Sequence, residues 1–267
     1  MAAKLVLVTG ASSGIGEATA KLYGSRGANV LLLARNASRL EAVSQAIRKN
    51  GGTATAYPVD LADDAATQTL AQRITSEIGT PDILINNAGA GHWKKFLETT
   101  PEEARAMMVV PYFAAFDLTR AFAPGMIARG SGSLVFITSP ASYLAWPRAS
   151  AYIAARRAVA GLAETLQSEL RGTGLFVTLV VLGTVETPYW EHNPGSRENM
   201  PKTNKRLVPI LTPDEAASAI FDGVAARRAF VVRPGIFRAL FVLNALFPRL
   251  VARQLHRATG KPFSPSS

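Results

Sequence analysis

The first segment whose residue types could do chemistry is Thr9-Gly10-Ala11-Ser12-Ser13-Gly14-Ile15-Gly16. It follows a short apolar run that reads as a strand and opens a stretch that reads as a helix. Closely spaced glycines allow a tight turn and let main chain approach a pyrophosphate, which free N–H groups and the positive helix end then hold. A glycine-rich turn alone is a weak signal; the strand–turn–helix setting is what points to a dinucleotide. Gly10, Ser12, Ser13, Gly14, Ile15 and Gly16 are therefore the expected pyrophosphate contacts. The next strand closes with Ala34-Arg35-Asn36, lacking the carboxylate that bonds ribose hydroxyls in NAD binders. The planar fork of Arg35 suits a 2′-phosphate instead, so NADP(H) is the expected cofactor.

Other chemistries are excluded by what the chain lacks. There is no cysteine, hence no disulfide framework and no thiolate metal site. His92, His192 and His256 lie far apart and form no ligand pair at helical spacing, so no metal is expected.

The elements that must position the glycine turn are strands alternating with amphipathic helices, the pattern of a parallel sheet covered on both faces. Strands are expected at residues 4–8, 29–34, 53–59, 82–86, 133–138, 175–181 and 229–233. They are rich in Val, Ile and Leu with little alternation, as strands buried on both faces should be. Thr100-Pro101-Glu102-Glu103 and Thr212-Pro213-Asp214-Glu215 each supply an N-cap threonine, a proline at the first helical position and a glutamate at the third. Residues 183–211 form an unusually long proline-bearing loop, of the kind that often covers a binding site.

With 267 residues, 48% hydrophobic and 18% charged, the chain is globular and fits one large α/β core. No secretory signal and no apolar run of about 20 residues is visible, so a soluble, cytoplasmic protein is expected. The net charge of +10 is uneven: no carboxylate follows Asp222, whereas eight basic residues do. That excess marks one local surface and does not make the whole chain a nucleic-acid binder.

In order along the chain come the glycine turn, Asn86-Asn87-Ala88-Gly89, Ser139, Tyr152 and Gly183-Thr184-Val185-Glu186-Thr187. On these motifs, over residues 4 to about 233, the sequence resembles the short-chain dehydrogenase/reductase family. The resemblance implies a single Rossmann-type, doubly wound α/β domain with a seven-stranded parallel sheet in the order 3-2-1-4-5-6-7. It implies Asp60 and Leu61 beside adenine, and Asn86 near the adenosine ribose, with Ala88 and Gly89 continuing that wall. Gly183, Val185 and Thr187 would meet the nicotinamide end, Thr187 holding the carboxamide. Tyr152 would be the catalytic acid–base and Ser139, thirteen positions earlier, would hydrogen-bond the reacting oxygen. The family habit also implies a homo-oligomer. The chemistry is consistent: hydride transfer to a carbonyl makes an alkoxide that needs a proton, and a phenol beside positive charge can supply it.

The sequence departs from the family pattern at two catalytic positions. Where Tyr-x-x-x-Lys is usual, Tyr152 is followed by Arg156, on the same helix face at i, i+4. A guanidinium can bond nicotinamide ribose hydroxyls and supply a field, but it holds its proton too firmly for a relay. Arg157 points about 100° around the helix and is a poor substitute. Where the family has an asparagine stands Pro111, which removes a side-chain amide and one helical N–H and frees the carbonyl of Met107. Leu182 replaces a common proline before Gly183, so a looser loop entry is expected, and Ser142 replaces a common glycine and is expected to alter only pocket shape.

Trp93, Tyr143, Leu144, Trp146, Tyr189 and Trp190 are the expected substrate-side residues, an apolar wall suited to a hydrophobic ketone or alcohol. The expected function is thus an NADP(H)-dependent carbonyl reductase or alcohol dehydrogenase. The alternative, raised by Arg156 and Pro111, is non-redox chemistry or a cofactor-binding regulator. Residues 234–267 form a basic, apolar extension beyond the domain of residues 1–233. Residues 234–262 would either lie in an anionic membrane surface as a peripheral contact, close the substrate pocket, or form a subunit interface.

Overall fold

The computed structural model describes residues 3–89, 91–193, 195–201 and 207–258. Among them are seven strands: β1 (Leu5–Thr9), β2 (Asn29–Ala34), β3 (Thr53–Pro58), β4 (Ile83–Asn86), β5 (Gly132–Thr138), β6 (Leu175–Leu182) and β7 (Phe230–Arg233). All pair in parallel, in the order β3-β2-β1-β4-β5-β6-β7. Each strand lies within a residue or so of its expected span; the inner strands, covered on both faces, advertise themselves as β-branched and leucine runs, whereas the edge strand β3 alternates exposed and buried residues.

Successive strand residues feed two cores. Leu7, Leu84, Phe136 and Leu179 face one side, where they meet α3 (Asp64–Glu77), α5 (Ala114–Arg129) and α6 (Ser150–Glu169). Val6, Val30, Ile85 and Val180 face the other, against α1 (Gly14–Ser25), α2 (Ala37–Lys49) and α9 (Pro213–Ala225). The two capping boxes form as expected. Glu103 N–H donates to Thr100 Oγ1 and Glu215 N–H to Thr212 Oγ1, both at 3.2 Å, starting α4 (Pro101–Met108) and α9.

Between α4 and α5 the helix runs on through a π-turn, Val109–Phe113, centred on the buried Pro111. The ring cannot donate, and the wider turn is how the helix carries it: Ala114 N–H reaches back to the Val109 carbonyl. The whole run, Pro101–Arg129, is 29 residues and by length and composition could cross a bilayer. Here Leu118, Phe122 and Met126 of its inner face are buried on the sheet, so it serves as a core helix.

The long segment after β6 is not wholly irregular. It contains α7 (Tyr189–His192) and α8 (Ser196–Asn199), and Val185 bridges Leu211 where the chain rejoins the domain. The C-terminal extension forms α10 (Ile236–Leu246) and α11 (Pro248–Ala258). They break at Phe247, which leaves the helical region (φ −131°, ψ 60°), as the residue before a proline tends to.

Candidate active site

A cleft of about 890 Å³ runs along the C-terminal ends of the strands, across the point beside β1 where the strand order reverses. Its floor is the glycine turn. Ser13 is the N-cap of α1 but makes no side-chain cap, which leaves the first helical N–H groups open to the cleft. The turn is tied to the next strand by Thr9: its Oγ1 accepts the Asn87 and Ala88 N–H groups, both at 2.9 Å, and donates to Ile85 O. Asn87 Nδ2 donates to Thr9 O at 2.9 Å. Gly16 does not line the cleft. It lies behind the turn, where a Cβ would stand 2.2 Å from the Gly10 carbonyl oxygen, so only glycine lets the two segments close up.

Towards β2 and β3 the lining is Ala34, Arg35, Asn36, Arg39, Val59, Asp60 and Leu61. No carboxylate stands at the end of β2. Asn36 Oδ1 caps α2 by accepting from Arg39 N–H at 2.9 Å, which brings the Arg39 side chain to the same corner as Arg35. Arg39 was not among the expected residues, and its helix-cap spacing to Asn36 was the available signal. Asp60 accepts from Ala62 N–H at 3.0 Å and so braces its own turn; the cap of α3 is Asp63.

One expectation needs correcting here. Asn86 does not reach the cleft: it is buried, and its Nδ2 donates to Thr119 Oγ1 of α5 at 3.3 Å. Side chains alternate across a strand end, so it is Asn87, one residue on, that lines the cleft together with Ala88 and Gly89.

Ser139, Tyr152 and Arg156 all line the cleft. Ser139 sits at the end of β5 and starts a 3₁₀ turn; its Oγ accepts Ala141 N–H at 3.3 Å, leaving the hydroxyl proton to donate elsewhere. Tyr152 and Arg156 stand one turn apart on α6, each 9% exposed. The Tyr152 ring is held between Trp93, 5.7 Å away between centroids, and the Arg156 guanidinium, 5.1 Å from its centroid. Arg156 also lies against the Asn86–Gly89 turn, close enough that a Cβ on Gly89 would be 2.7 Å from Nη2.

The backbone of Arg156 is anchored by a hydroxyl pair. Thr138 Oγ1 and Ser142 Oγ are hydrogen-bonded to each other at 2.7 Å and lie 3.1 and 2.8 Å from the Arg156 carbonyl, so one proton joins the two hydroxyls and the other is donated to the carbonyl. Ser142, expected to affect only pocket shape, therefore links the Ser139 turn to the Tyr152–Arg156 helix. By contrast, Arg156 Nε is buried without a hydrogen-bond partner. An unmatched buried donor is costly, and the guanidinium that carries it lines the cleft, where its charge is placed to meet oxygens of a bound molecule.

Beyond β6, Gly183, Thr184, Val185 and Thr187 line the cleft, and a Cβ on Gly14 would touch Thr187 Cγ2 at 2.9 Å. The remaining wall is mostly apolar, with Trp93, Val110, Trp146, Met200, Val208 and Phe237, and also includes His92 and Asn193. Tyr189 lines it too, its hydroxyl donating to the Gly91 carbonyl. Burial and the neighbouring Tyr152 push the Tyr189 phenol well above its usual pKa, with Arg156 opposing in part, so Tyr189 is a fixed donor and not an acid–base group.

Tyr143 and Leu144, expected on this wall, are elsewhere. Tyr143 packs edge-on against Phe230 and close to Phe241, and its hydroxyl bonds Glu164; Leu144 is buried in the sheet core. The Trp190 side chain lies outside the described residues. Val208 and Phe237 are not singled out by the sequence, although residues 183–211 are expected to cover a site and closure of the pocket is one alternative for the extension; no local sequence window says which side chains do so.

A doubly wound sheet with a glycine turn at its switch point, and a serine and tyrosine facing that same cleft, defines a dinucleotide-dependent class of fold and site. Comparisons agree. Residues 4–197 match the family model for short chain dehydrogenase. An uncharacterized oxidoreductase of Mycobacterium tuberculosis is 37% identical over 96% of this chain and 73% of its own. A fatty acyl-CoA reductase of Acinetobacter baylyi is 34% identical over 84% of this chain and 74% of its own. A short-chain dehydrogenase from Sphingobium yanoikuyae in complex with NADPH superposes with a TM-score of 0.78 at 27% identity, covering 99% of this chain and 98% of that one. The chain belongs to the short-chain dehydrogenase family, and it is an oxidoreductase.

Proposed function

We propose that this protein is an NADP(H)-dependent carbonyl reductase, or alcohol dehydrogenase in reverse, acting on a hydrophobic substrate. The observation that carries the reading is the convergence of Ser139, Tyr152 and Arg156 on the cleft that also holds the glycine turn and the Arg35–Arg39 corner. The residues fit the cofactor. The open N-terminus of α1 suits a pyrophosphate, two arginines with no carboxylate at the end of β2 suit a 2′-phosphate, and the Arg156 guanidinium lining the cleft suits ribose oxygens.

When bound, the nicotinamide gives or takes the hydride. Ser139 and Tyr152 donate to the substrate oxygen and hold it against the cofactor face of the cleft. As negative charge grows on that oxygen, Tyr152 passes its proton across; in the alcohol direction the phenolate takes the proton back. Arg156 keeps its own proton, so water reaching the cleft restores Tyr152. Trp93, Trp146, Met200, Val208 and Phe237 supply the apolar surface for the rest of the substrate. The name of the acyl-CoA reductase relative supports a long-chain carbonyl among hydrophobic substrates.

A panel of aldehydes, ketones and alcohols of rising chain length, followed by NADPH and NADH absorbance, tests the reading. Turnover with NADPH that improves as the apolar chain lengthens is expected. Firm NADPH binding without turnover on any of them would favour a cofactor-binding regulator.

The loop before Trp93 gives a sharper check on geometry. Gly91 has φ +148°, and a Cβ there would stand 2.7 Å from Tyr152 Cδ2. Gly91→Ala is therefore strained and pushes the Tyr152 ring out of line. Ring misplacement of this size costs about 10²-fold in turnover. Steady-state kinetics beside NADPH titration and thermal melting should find the loss in kcat, with cofactor affinity little changed and the melting point lowered by a few degrees.

A further inference from the structure

The outer face of the C-terminal helix pair joins exposed apolar side chains to a row of arginines. On α10 the inward stripe is Phe237, Leu240, Phe241 and Asn244, which pack on the domain. A helix so occupied normally turns polar residues outward. Instead the opposite stripe is Val242 (60% exposed), Leu243 (39%) and Leu246 (67%), continued past the break by Phe247 (54%) and Leu250 (50%). On α11, Val251 is buried, while Arg249, Arg253 and Arg257 follow at every fourth residue along an exposed face beside that patch. No carboxylate follows Asp222 to neutralise them.

From this juxtaposition we infer that the α10–α11 face docks the protein on an anionic lipid surface. The patch is too short to span: the eleven residues of α10 rise about 16 Å, against a hydrocarbon core of about 30 Å. It suits the boundary between headgroups and acyl chains, with the apolar stripe inserted and the arginines on phosphates. A second copy of the chain is the poorer occupant, because a two-fold contact through this face would set the same arginine row against its like.

The helix that carries the docking face also sends one residue of its opposite stripe into the active-site cleft. Phe237 leads the inward stripe of the same helix and lines the cleft, its ring 3.0 Å from where a Gly183 Cβ would stand.

Flotation of the full chain with vesicles of phosphatidylcholine alone, or of phosphatidylcholine with phosphatidylglycerol, tests docking without any assay of activity. The protein should float with the mixed vesicles at low salt and be released as salt rises. Each basic residue near such a surface contributes about fivefold in affinity, so Arg249→Glu/Arg253→Glu/Arg257→Glu should weaken binding at least about a hundredfold. Phe247→Glu should abolish it at low salt also. Thermal melting and NADPH titration on the same samples verify folding, since none of these side chains reaches the cleft. No flotation with the mixed vesicles, or flotation untouched by the substitutions, overturns the inference. So does light scattering that finds a dimer dissolved by Phe247→Glu, which would make the face a contact between copies.

Discussion

Tyr152→Phe is expected to reduce turnover by about 10²–10⁴-fold, the usual contribution of a positioned acid–base group, with NADPH affinity nearly unchanged. The substitution is unusually clean here. The ring stays between Trp93 and the Arg156 guanidinium, so the packing that holds this stretch of α6 survives and only the hydroxyl is lost. Tyr189 cannot stand in, because its phenol is engaged by the Gly91 carbonyl and held well above its usual pKa by burial. Arg156→Lys separates the arginine's roles. Field and ribose contact alone predict turnover within about tenfold of the parent, whereas a proton path limited by the guanidinium predicts acceleration. Adding Pro111→Asn should alter that outcome non-additively if the groups form one network. Parent-like turnover in Tyr152→Phe would contradict the assigned chemistry.

The second large effect concerns the choice of cofactor. Arg35→Ala/Arg39→Ala should abolish most of the preference for NADP(H) over NAD(H). A charge-assisted hydrogen bond to phosphate is worth about 1.5–3 kcal/mol, or tenfold to a hundredfold in affinity. Arg35 is exposed and screened, so its share belongs at the lower end. Arg39, brought to the same corner by the Asn36 cap, adds a second positive group. Titrating both cofactors against parent and variant should find NADPH affinity falling by at least tenfold and NADH affinity holding. Equal affinities in the parent would sink the 2′-phosphate assignment.

Most of the sheet could be read before any coordinates, since strands buried on both faces and helices opened by Thr-Pro-x-Glu caps are signals contained within a few residues. The site was legible where it rests on backbone, as in the glycine turn and the segment after β6. It was less so where a side chain must choose a face. Asn86 and Asn87 differ by one residue, and only the register of β4 on β5 decides which one enters the cleft. Tyr143 belongs to the same aromatic-rich segment as Trp146, yet Phe230 and Phe241, far along the chain, draw it away. Ser142 looked neutral because its partner is a main-chain carbonyl on another element. The tail's apolar and basic residues could be counted, but which of them face outward depends on the break at Pro248 and on Phe237 entering the cleft.

Transfer of label tests the central claim most directly. NADPH deuterated at the transferable position of the nicotinamide would be incubated with the protein and a long-chain aldehyde or ketone, and the product weighed by mass spectrometry. Hydride transfer in this cleft predicts an alcohol carrying one deuterium on the former carbonyl carbon, formed by the parent and nearly absent with Tyr152→Phe. An alcohol without the label, or one formed equally by both proteins, would contradict it.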